Sequence, residues 1–209
     1  IARAAQRLRA GRILAVKGLG GYHLACDARH EGAVAELRAR KGRRDKPFAL
    51  MCRDLAQVRG LCDLDDASAR LLDAPAHPIV LLPARPGSGL APAVAPGVGT
   101  LGVLLPYTPL HALLLAEHGG PLVMTSGNLS DEPLACRDDD ARARLGRIAD
   151  HFLIHDRPIH VACDDAIARV HAGGTVILRR ARGYVPAPVE LAEELPPTFA
   201  AGGDLKSAF

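Results

Sequence analysis

The sequence predicts an α/β protein, because short apolar segments of strand length alternate with longer segments of helical periodicity. Hydrophobic residues make up 48% of the 209 residues and charged residues 23%, which is ordinary for a globular protein with a packed core. This length has room for one sizeable domain and a fragment of another. A net charge of +3 and an aromatic content of 3% do not by themselves indicate a nucleic-acid partner.

Six segments carry the helical pattern, with apolar side chains every three to four residues. They are residues 1–10, 30–40, 54–60, 65–72, 108–119 and 137–149. Gly11 and Gly42 are typical of helix ends, and Asp54, Asp65 and Thr108 are typical N-caps. We expect two inward faces in particular, formed in the first helix by Ile1, Ala4, Ala5 and Leu8 and in the fifth by Leu110, Leu113 and Leu114.

Eight short apolar runs are predicted to be strands. They are residues 13–16, 48–51, 78–82, 101–105, 122–124, 151–154, 167–171 and 175–180. Gly173-Gly174 between the last two predicts a β-hairpin. Residues 83–100 are rich in Pro, Gly and Ala and lack helical periodicity, so we expect a long surface loop of the kind that closes over a substrate.

The cysteines argue against two kinds of covalent scaffold. They are Cys26, Cys52, Cys62, Cys136 and Cys163, an odd number without Cys-x-x-Cys spacing. This pattern disfavours both a disulfide framework and a structural zinc site, so reduced thiols and a cytoplasmic location are expected. The sequence shows no signal peptide and no apolar run of membrane-spanning length. Because it begins at Ile1, we expect it to be a piece of a longer protein.

A cationic segment begins where the second predicted helix ends. Residues 40–46, Arg-Lys-Gly-Arg-Arg-Asp-Lys, carry five cations in seven positions. Pro47 and a buried strand follow, so the cations lie on a short, rigid loop. Cations two residues apart, such as Lys41 and Arg43, suit a polyanion. The alternative is that these charges complement the helix dipole or form a solvated surface.

A second polar segment follows the predicted strand 122–124. It reads Thr125-Ser126-Gly127-Asn128-Leu129-Ser130. In an open α/β sheet, ligands lie beyond the carboxyl ends of strands, where short polar side chains and free backbone N–H groups converge. Ser126 and Asn128, with the backbone of Gly127, could therefore cradle phosphate or ribose. A plain turn capped by these side chains is the alternative.

Together, Lys41-Gly42-Arg43 and Ser126-Gly127-Asn128 resemble the paired nucleotide-binding signature of the YrdC/Sua5 superfamily, whose members make acyl adenylates from ATP. Five longer stretches are similar to the YrdC-like domain of the HypF family of hydrogenase-maturation carbamoyltransferases. They are residues 16–28, 46–51, 125–133, 155–159 and 179–186. The resemblance covers nearly the whole chain, and it implies a twisted mixed sheet with helices packed on it around a concave basic cleft.

The resemblance also implies roles for individual residues. Lys41 and Arg43 would be catalytic and would neutralise the triphosphate of ATP bound with Mg²⁺, while Ser126 and Asn128 would orient the nucleotide. An arginine at the end of the hairpin would grip phosphate oxygens with its planar fork, and this is either Arg179 or Arg180. The alternative is that Arg179, Arg180 and Arg182 are ordinary surface arginines at the end of a strand. No protein metal site is expected.

Residues 17–22 place Gly18, Gly20 and Gly21 at the end of a strand, where the backbone could approach a ligand or simply form a tight turn. Threonylcarbamoyl-adenylate synthases of the superfamily have hydroxylated residues at the slots of Gly18 and Gly20, so the resemblance implies a pocket suited to carbamate. We expect Gly20, Gly21, Tyr22 and His23 to contact it. The alternatives are a core position for Tyr22 and a strand edge for His23.

The chain departs from the family at three positions. Ala162 and Ala166 stand where relatives usually have arginine and serine, and Arg44 stands where proline is common. If those side chains touch ligand in the relatives, this chain should bind it more weakly or differently.

The resemblance implies domains at residues 1–189 (adenylate-forming), 190–198 (Pro-rich linker) and 199–209 (start of a Kae1-like transferase domain). The implied function is formation of carbamoyl adenylate from ATP and carbamate derived from carbamoyl phosphate, followed by transfer to HypE. Acylphosphatase and zinc-finger domains would adjoin it in the same polypeptide. The alternatives are threonylcarbamoyl-AMP synthesis for tRNA modification and a non-catalytic RNA-binding module.

Overall fold

A computed structural model describes residues 1–129 and 132–190, together with residues 192, 196 and 198. The described helices are α1 (Ala2–Arg9), α2 (Glu31–Lys41), α3 (Leu55–Arg59), α4 (Asp66–Leu72), α5 (Pro109–His118) and α6 (Asp138–Leu145). The described strands are β1 (Leu14–Lys17), β2 (Tyr22–Asp27), β3 (Ala49–Met51), β4 (Ile79–Pro83), β5 (Thr100–Leu104), β6 (Leu122–Ser126), β7 (His151–Leu153), β8 (Ile167–His171) and β9 (Gly174–Arg179).

The described strands form a single mixed sheet in the order β7-β1-β2-β6-β3-β5-β4-β8-β9. The pairs β1/β7, β3/β5 and β4/β8 are parallel, and the remaining neighbours are antiparallel. The predicted α/β class with a mixed sheet is therefore confirmed. In this order β6 lies between β2 and β3, although β2 and β3 follow one another along the chain.

Both faces of the central strands of the sheet are buried, because successive strand residues pack into two different apolar clusters, whereas β9 at one edge is exposed along most of its length. Ala15 and Leu24 belong to the larger cluster, which includes Leu37 of α2. Leu14 and Val16, which alternate with Ala15 along β1, belong to the other. That second cluster also takes up residues of α1 and α5, namely Ala5, Leu8, Leu114 and Leu115. Burial on both sides explains why these central strands read as nearly continuous apolar runs.

The helix ends follow the local signals in the sequence. Asp54, Asp65 and Thr108 each accept a hydrogen bond from a backbone N–H in the first turn of the helix that follows. Gly42 ends α2 with φ of 68°, in the left-handed region that glycine adopts without a steric penalty. The last residue of α2 is Lys41, so this stop fixes where the cationic loop leaves the helix.

Several sequence predictions are wrong in detail. Ile1 is 41% exposed and Leu113 is 56% exposed, and Leu115 takes the inward position that we expected of Leu113. The sixth helix ends at Leu145, and residues 146–148 continue as a turn in which the Ala149 N–H donates to the Leu145 oxygen at 2.8 Å. The loop 83–100 is not purely superficial, since a 3₁₀ turn at Pro92–Val94 buries Val94 against the larger cluster.

Candidate functional site

The two signature segments meet at Lys41 and Asn128. Lys41 ends α2, and its side chain is only 3% exposed. Its ammonium donates to Oδ1 of Asn128 at 2.9 Å, and to the backbone oxygens of Ser126 and Asn128 at 2.6 and 2.5 Å. Segments far apart in sequence are thus joined by one buried charge.

The loop after β6 is braced from within. Ser126 donates its hydroxyl proton to Oδ1 of Asn128 at 2.7 Å, and the Asn128 amide nitrogen donates to the backbone oxygen of Glu132 at 2.7 Å. The Gly127 N–H donates to the Tyr22 oxygen at 2.7 Å. A Cβ on Gly127 would lie 2.6 Å from that same oxygen, so glycine is required here for the loop to sit against β2.

Arg43 is held at the other side of the cationic loop. Its guanidinium donates to the backbone oxygens of Lys46 and Pro47 at 3.0 and 2.6 Å. It also lies over the ring of Phe48, with 5.2 Å between the guanidinium carbon and the ring centroid. Phe48 is buried, so it anchors the loop to the core.

Both segments line one cavity of about 690 Å³. The cations on its wall are Lys41, Arg43, Lys46 and Arg179, and the acids are Glu132, Asp164 and Asp165. Its apolar wall includes Phe48, Ile79, Leu81, Val98 and Met124. A cavity with clustered cations on one part and aliphatic and aromatic side chains on another can hold a molecule that is anionic at one end and flat and apolar at the other.

The structure separates the two candidate arginines at the end of the hairpin. Arg179 lies on the cavity wall, close enough for its charge to lower the pKa of Arg43. Arg180 is exposed and donates to the backbone oxygen of Ala187. Arg180 does not contribute to the described wall of the cavity. Lys46 does, and sequence reasoning did not select it although it belongs to the cationic segment.

Burial and mutual repulsion shift the titration of these cations. Burial lowers the pKa of Lys41 to about 7, and the positive charge of Arg43 acts in the same direction. Burial lowers the pKa of Arg43 to about 10, with the charges of Arg38 and Arg179 adding to the effect. Cations that repel one another at close range are the arrangement expected where an anion binds between them.

The glycine-rich segment forms a layer behind the cavity and does not line it. A Cβ on Gly20 would lie 2.4 Å from the Cys163 oxygen, and one on Gly21 would lie 2.2 Å from the side chain of Leu134. Cys163 and Leu134 are wall residues. The glycines therefore allow the wall to pack closely, and the expected contact of Gly20 and Gly21 with a ligand stays a prediction.

Tyr22 and His23 are also part of that second layer. Tyr22 is fully buried and donates its hydroxyl proton to Oδ1 of Asp138 at 2.6 Å. Lys17 donates to the same carboxylate. Burial and this hydrogen bond raise the pKa of Tyr22. The core alternative is correct for Tyr22, because its hydroxyl is satisfied by Asp138 and its side chain lies outside the described wall of the cavity.

His23 supports Asp165, which is on the wall. Its Nε2 lies 3.0 Å from Oδ2 of Asp165, and Nε and Nη2 of Arg182 each lie 3.0 Å from Oδ1. Arg182 also lies 3.5 Å over the ring of Tyr107. Burial alone would raise the pKa of Asp165, but its two partners hold that pKa well below the ordinary value. His111 packs against His23 and Tyr107, and burial lowers the pKa of His111 to about 3.

The sequence did not predict that His23, Asp165 and Arg182 form a cluster that supports the cavity wall. Arg182 was visible as the third arginine after the hairpin, and Asp165 as half of an Asp-Asp pair before it. Neither pattern carries a signal for a buried ion pair, since their partner His23 lies 142 residues from Asp165.

The three positions where the chain departs from its family lie in different parts of the molecule. Ala162 lies on the cavity wall, whereas Ala166 is fully buried in the core. Arg44 is exposed, and its backbone oxygen accepts a hydrogen bond from Arg38. A missing side chain at 162 can therefore affect a ligand directly, and one at 166 cannot do so without rearrangement of the core.

Two further predictions lie mostly outside the described residues, namely the linker 190–198 and the fragment 199–209. Ser130 also falls outside them. Among the residues that are described, no helix is both long and apolar enough to cross a membrane.

With this geometry in view, the comparisons with known proteins agree with one another. The chain matches the profile of the Sua5/YciO/YrdC family, described as telomere recombination, over residues 6–181. It is 53% identical to the carbamoyltransferase HypF of Rhodobacter capsulatus over 208 residues, which is 98% of this chain and 28% of that protein. It is 38% identical over 152 residues to the threonylcarbamoyl-AMP synthase of Stenotrophomonas maltophilia, 70% of this chain and 81% of that one.

Among solved structures, the crystal structure of full-length HypF in the phosphate- and nucleotide-bound form superposes with a TM-score of 0.89 at 46% identity. That match covers 92% of this chain and 30% of the other. The chain therefore belongs to the Sua5/YciO/YrdC family of proteins. Within that family it corresponds to the YrdC-like domain of HypF carbamoyltransferases, and it spans about 28% of the length of the HypF relative named above.

Proposed function

We propose that this chain forms carbamoyl adenylate from carbamate and ATP, as the adenylating part of a HypF-type carbamoyltransferase. The observation that carries the proposal is the single cavity on which Lys41, Arg43, Arg179 and the Ser126–Asn128 loop converge. The identity to HypF carbamoyltransferases supports the choice of acyl group. The nucleotide-bound HypF structure supports a nucleotide as the ligand.

The chemistry needs charge neutralisation and alignment more than a protein base. A carbamate oxygen attacks the α-phosphorus, the new O–P bond forms, and the bond from the α-phosphorus to the bridging oxygen breaks. Pyrophosphate leaves with that electron pair, and no proton has to move, because carbamate is already an anion. Arg43, Lys46 and Arg179 would stabilise the negative charge on the phosphates, which is how most phosphoryl-type transfers are accelerated.

Lys41 has a second task in this proposal. An ammonium has three donors, and in this geometry it reaches three oxygens of the loop 126–128. Lys41 would therefore hold Ser126 and Asn128 in place for the nucleotide and add its charge from behind them. The glycines at 20 and 21 and His23 would act through the wall residues Cys163, Leu134 and Asp165 that they support.

Mg²⁺ enters the proposal as part of the nucleotide. The described residues contain no cluster of three or more His, Cys, Asp or Glu side chains that could hold a metal. This fits Mg²⁺, which protein sites usually bind through one or two carboxylates together with substrate phosphates. Asp164, on the cavity wall, would offer such a carboxylate. The ion would neutralise charge on the phosphate oxygens.

Exchange of labelled pyrophosphate into ATP tests the proposal. We expect exchange that depends on carbamate, supplied as ammonium bicarbonate, and needs no threonine. Exchange that requires threonine would instead support threonylcarbamoyl-AMP synthesis, the activity that the 38% identity to a synthase keeps as the second candidate. RNA binding with steep salt dependence and no exchange would overturn both.

The later steps belong to the proposal as well. Carbamoyl adenylate is labile in water, so direct passage to a neighbouring Kae1-like domain and then to HypE is expected. The acylphosphatase and zinc-finger domains of such a protein would release carbamate from carbamoyl phosphate upstream. Because the chain spans about 28% of its HypF relative, these steps would need the remaining length of a HypF-type protein.

A further inference from the structure

We propose that Arg38 is the positioning residue of the site: it fixes the cationic loop 43–47 and thereby sets where Arg43 and Lys46 stand in the cavity. This inference rests on the proposed nucleotide site. Arg38 itself is not one of the residues on the described cavity wall. It lies one turn before the end of α2, and Gly42 stops that helix just before the loop begins.

Arg38 adds a side-chain bridge between two segments that are also joined by one backbone hydrogen bond, from the Phe48 N–H to the Val94 oxygen at 2.9 Å. Its Nη1 lies 2.9, 3.0 and 3.2 Å from the backbone oxygens of Arg43, Arg44 and Lys46. Its Nε and Nη2 donate to the Ala93 oxygen at 3.0 and 2.7 Å, and Nη2 also reaches the Val94 oxygen at 3.3 Å. One planar guanidinium therefore ties the cationic loop to the 3₁₀ turn Pro92–Val94.

The face of the same guanidinium lies on the ring of Phe48, with 4.5 Å from its central carbon to the ring centroid. The guanidinium of Arg43 lies on that ring at 5.2 Å. Two cations that repel each other thus share one aromatic ring, which attracts both through its negatively polarised face. Burial lowers the pKa of Arg38, yet a guanidinium remains charged at any physiological pH.

The hydrogen bonds of Arg38 and Arg43 reduce the repulsion that the backbone oxygens of the loop would exert on a bound triphosphate. Backbone oxygens carry partial negative charge and would repel a triphosphate beside Arg43 and Lys46. Arg38 takes three of these oxygens as hydrogen-bond acceptors, and Arg43 takes those of Lys46 and Pro47. Lysine at position 38 would keep the charge but would lack the flat, five-donor fork that can bond two segments and stack at once.

The test compares Arg38→Lys with Arg7→Lys, a change at an exposed arginine of α1. We expect Arg38→Lys to weaken ATP binding by about 10- to 100-fold in calorimetric titration, because Arg43 and Lys46 would lose hydrogen bonds to the charged phosphates. Arg7→Lys should leave the affinity unchanged. Unchanged affinity in Arg38→Lys would overturn the inference.

A mutant cycle shows whether Arg38 acts through Arg43 and Lys46. In a background that carries both Arg43→Ala and Lys46→Ala, the further change Arg38→Lys should weaken ATP binding by less than about threefold, because coupled residues are not additive. A full, independent loss in that background would contradict a positioning role.

A measurement without nucleotide separates this inference from the proposed function. Amide hydrogen exchange over residues 43–48 should become faster in Arg38→Lys than in Arg7→Lys, while exchange in β6 stays unchanged. If the wild-type chain binds no ATP, the proposed function fails and this exchange result still decides the positioning role. Unchanged exchange over residues 43–48 would remove that role.

Discussion

The ammonium of Lys41 lies 2.9 Å from Oδ1 of Asn128, and 87 residues separate the two in sequence. This contact brings the cationic segment and the hydroxyl and amide segment to one cavity. Ser126 also donates to that Oδ1, so one amide oxygen joins the end of α2, the end of β6 and the loop that follows β6. Lys41 thus supports the site through its hydrogen bonds to the loop as well as through its charge.

Replacing Lys41 by methionine should abolish function without unfolding the chain. Pyrophosphate exchange in Lys41→Met should fall by about 100-fold or more, as when a preorganised donor is removed from an anion site. The three oxygens that lose their donor should lower the free energy of unfolding by about 1 to 3 kcal/mol. Denaturant unfolding of the same sample checks the second value, with Arg7→Gln as the control. Wild-type exchange in Lys41→Met would remove Lys41 from the site.

Nucleotide binding should take up a proton above neutral pH. Burial lowers the pKa of Lys41 to about 7, so much of Lys41 is neutral at pH 8 in the free protein. A bound triphosphate favours the ammonium and raises that pKa. Affinity should therefore fall as pH rises above 7, by up to about tenfold per unit for one linked proton.

Titration calorimetry in two buffers of different ionisation enthalpy measures this uptake directly. The uptake should be absent in Lys41→Met. If that variant takes up as many protons as the wild type, the proton goes elsewhere and the assignment to Lys41 is wrong.

The two arginines at the end of the hairpin provide a matched pair. Arg179→Ala should weaken ATP binding by about 10- to 100-fold, the range for losing a hydrogen bond to a charged group. Arg180→Ala should change it by less than about twofold, because Arg180 points to the backbone of Ala187 and not to the cavity. Equal losses for both variants would contradict this distinction.

The two alanines that depart from the family should also behave differently. Ala162→Arg places a cation on the cavity wall and should alter ATP affinity by about threefold or more, with little change in stability. Ala166→Ser buries a hydroxyl in the core and should lower the free energy of unfolding by about 1 to 3 kcal/mol. Nucleotide titration and urea unfolding of both variants make the comparison. A change of affinity in Ala166→Ser at unchanged stability would argue against this account.

The pair formed by Asp165 and Arg182 should be required for stability. Asp165→Asn leaves Arg182 buried without its charge partner, so the free energy of unfolding at pH 7 should fall by about 3 to 5 kcal/mol. The folded state holds the pKa of Asp165 below its unfolded value, so this contribution is present above the unfolded pKa and is lost as pH falls.

Urea unfolding at pH 7 and at lower pH should therefore show a gap between wild type and Asp165→Asn that narrows in acid. Asp63→Asn is the control, because Asp63 pairs with Arg85 at the exposed surface and such pairs contribute about 0 to 1 kcal/mol. If the gap stays constant or widens in acid, the ion pair of Asp165 and Arg182 does not provide the lost free energy of unfolding.

The elements that could be predicted have local causes. The stop at Gly42, the N-caps Asp54 and Asp65 and the apolar runs of the strands are written in neighbouring residues, and all of them appear in the structure. Leu113 was placed inward because it fits the helical spacing, but α5 turns Leu115 to the sheet instead. Which face of an apolar helix is buried depends on its partner, and that information is not local.

The residues of the candidate site also divide into those that local sequence predicts and those that only the packing determines. The residue types at 41, 43, 126 and 128 predict an anion site, because cations and short polar groups at the ends of helices and strands can converge on one ligand, although such residues also cap helices and turns. The glycines at 20 and 21 predict a close approach, and in the structure Cys163 and Leu134 make that approach, while contact with a ligand stays a prediction. A glycine shows that something approaches closely without showing what it is.

By itself, the sequence determined that this protein is α/β, where most of its helices begin and end, and which two polar segments are candidates for one anion site. Those properties depend on side-chain period and on residues a few positions apart. Only the tertiary structure decided that Arg179 and not Arg180 faces the cavity, that Tyr22 belongs to the core and that Arg38 holds the cationic loop. Those choices depend on contacts between residues distant in the chain, where burial and hydrogen bonding are set by the packing of the whole sheet.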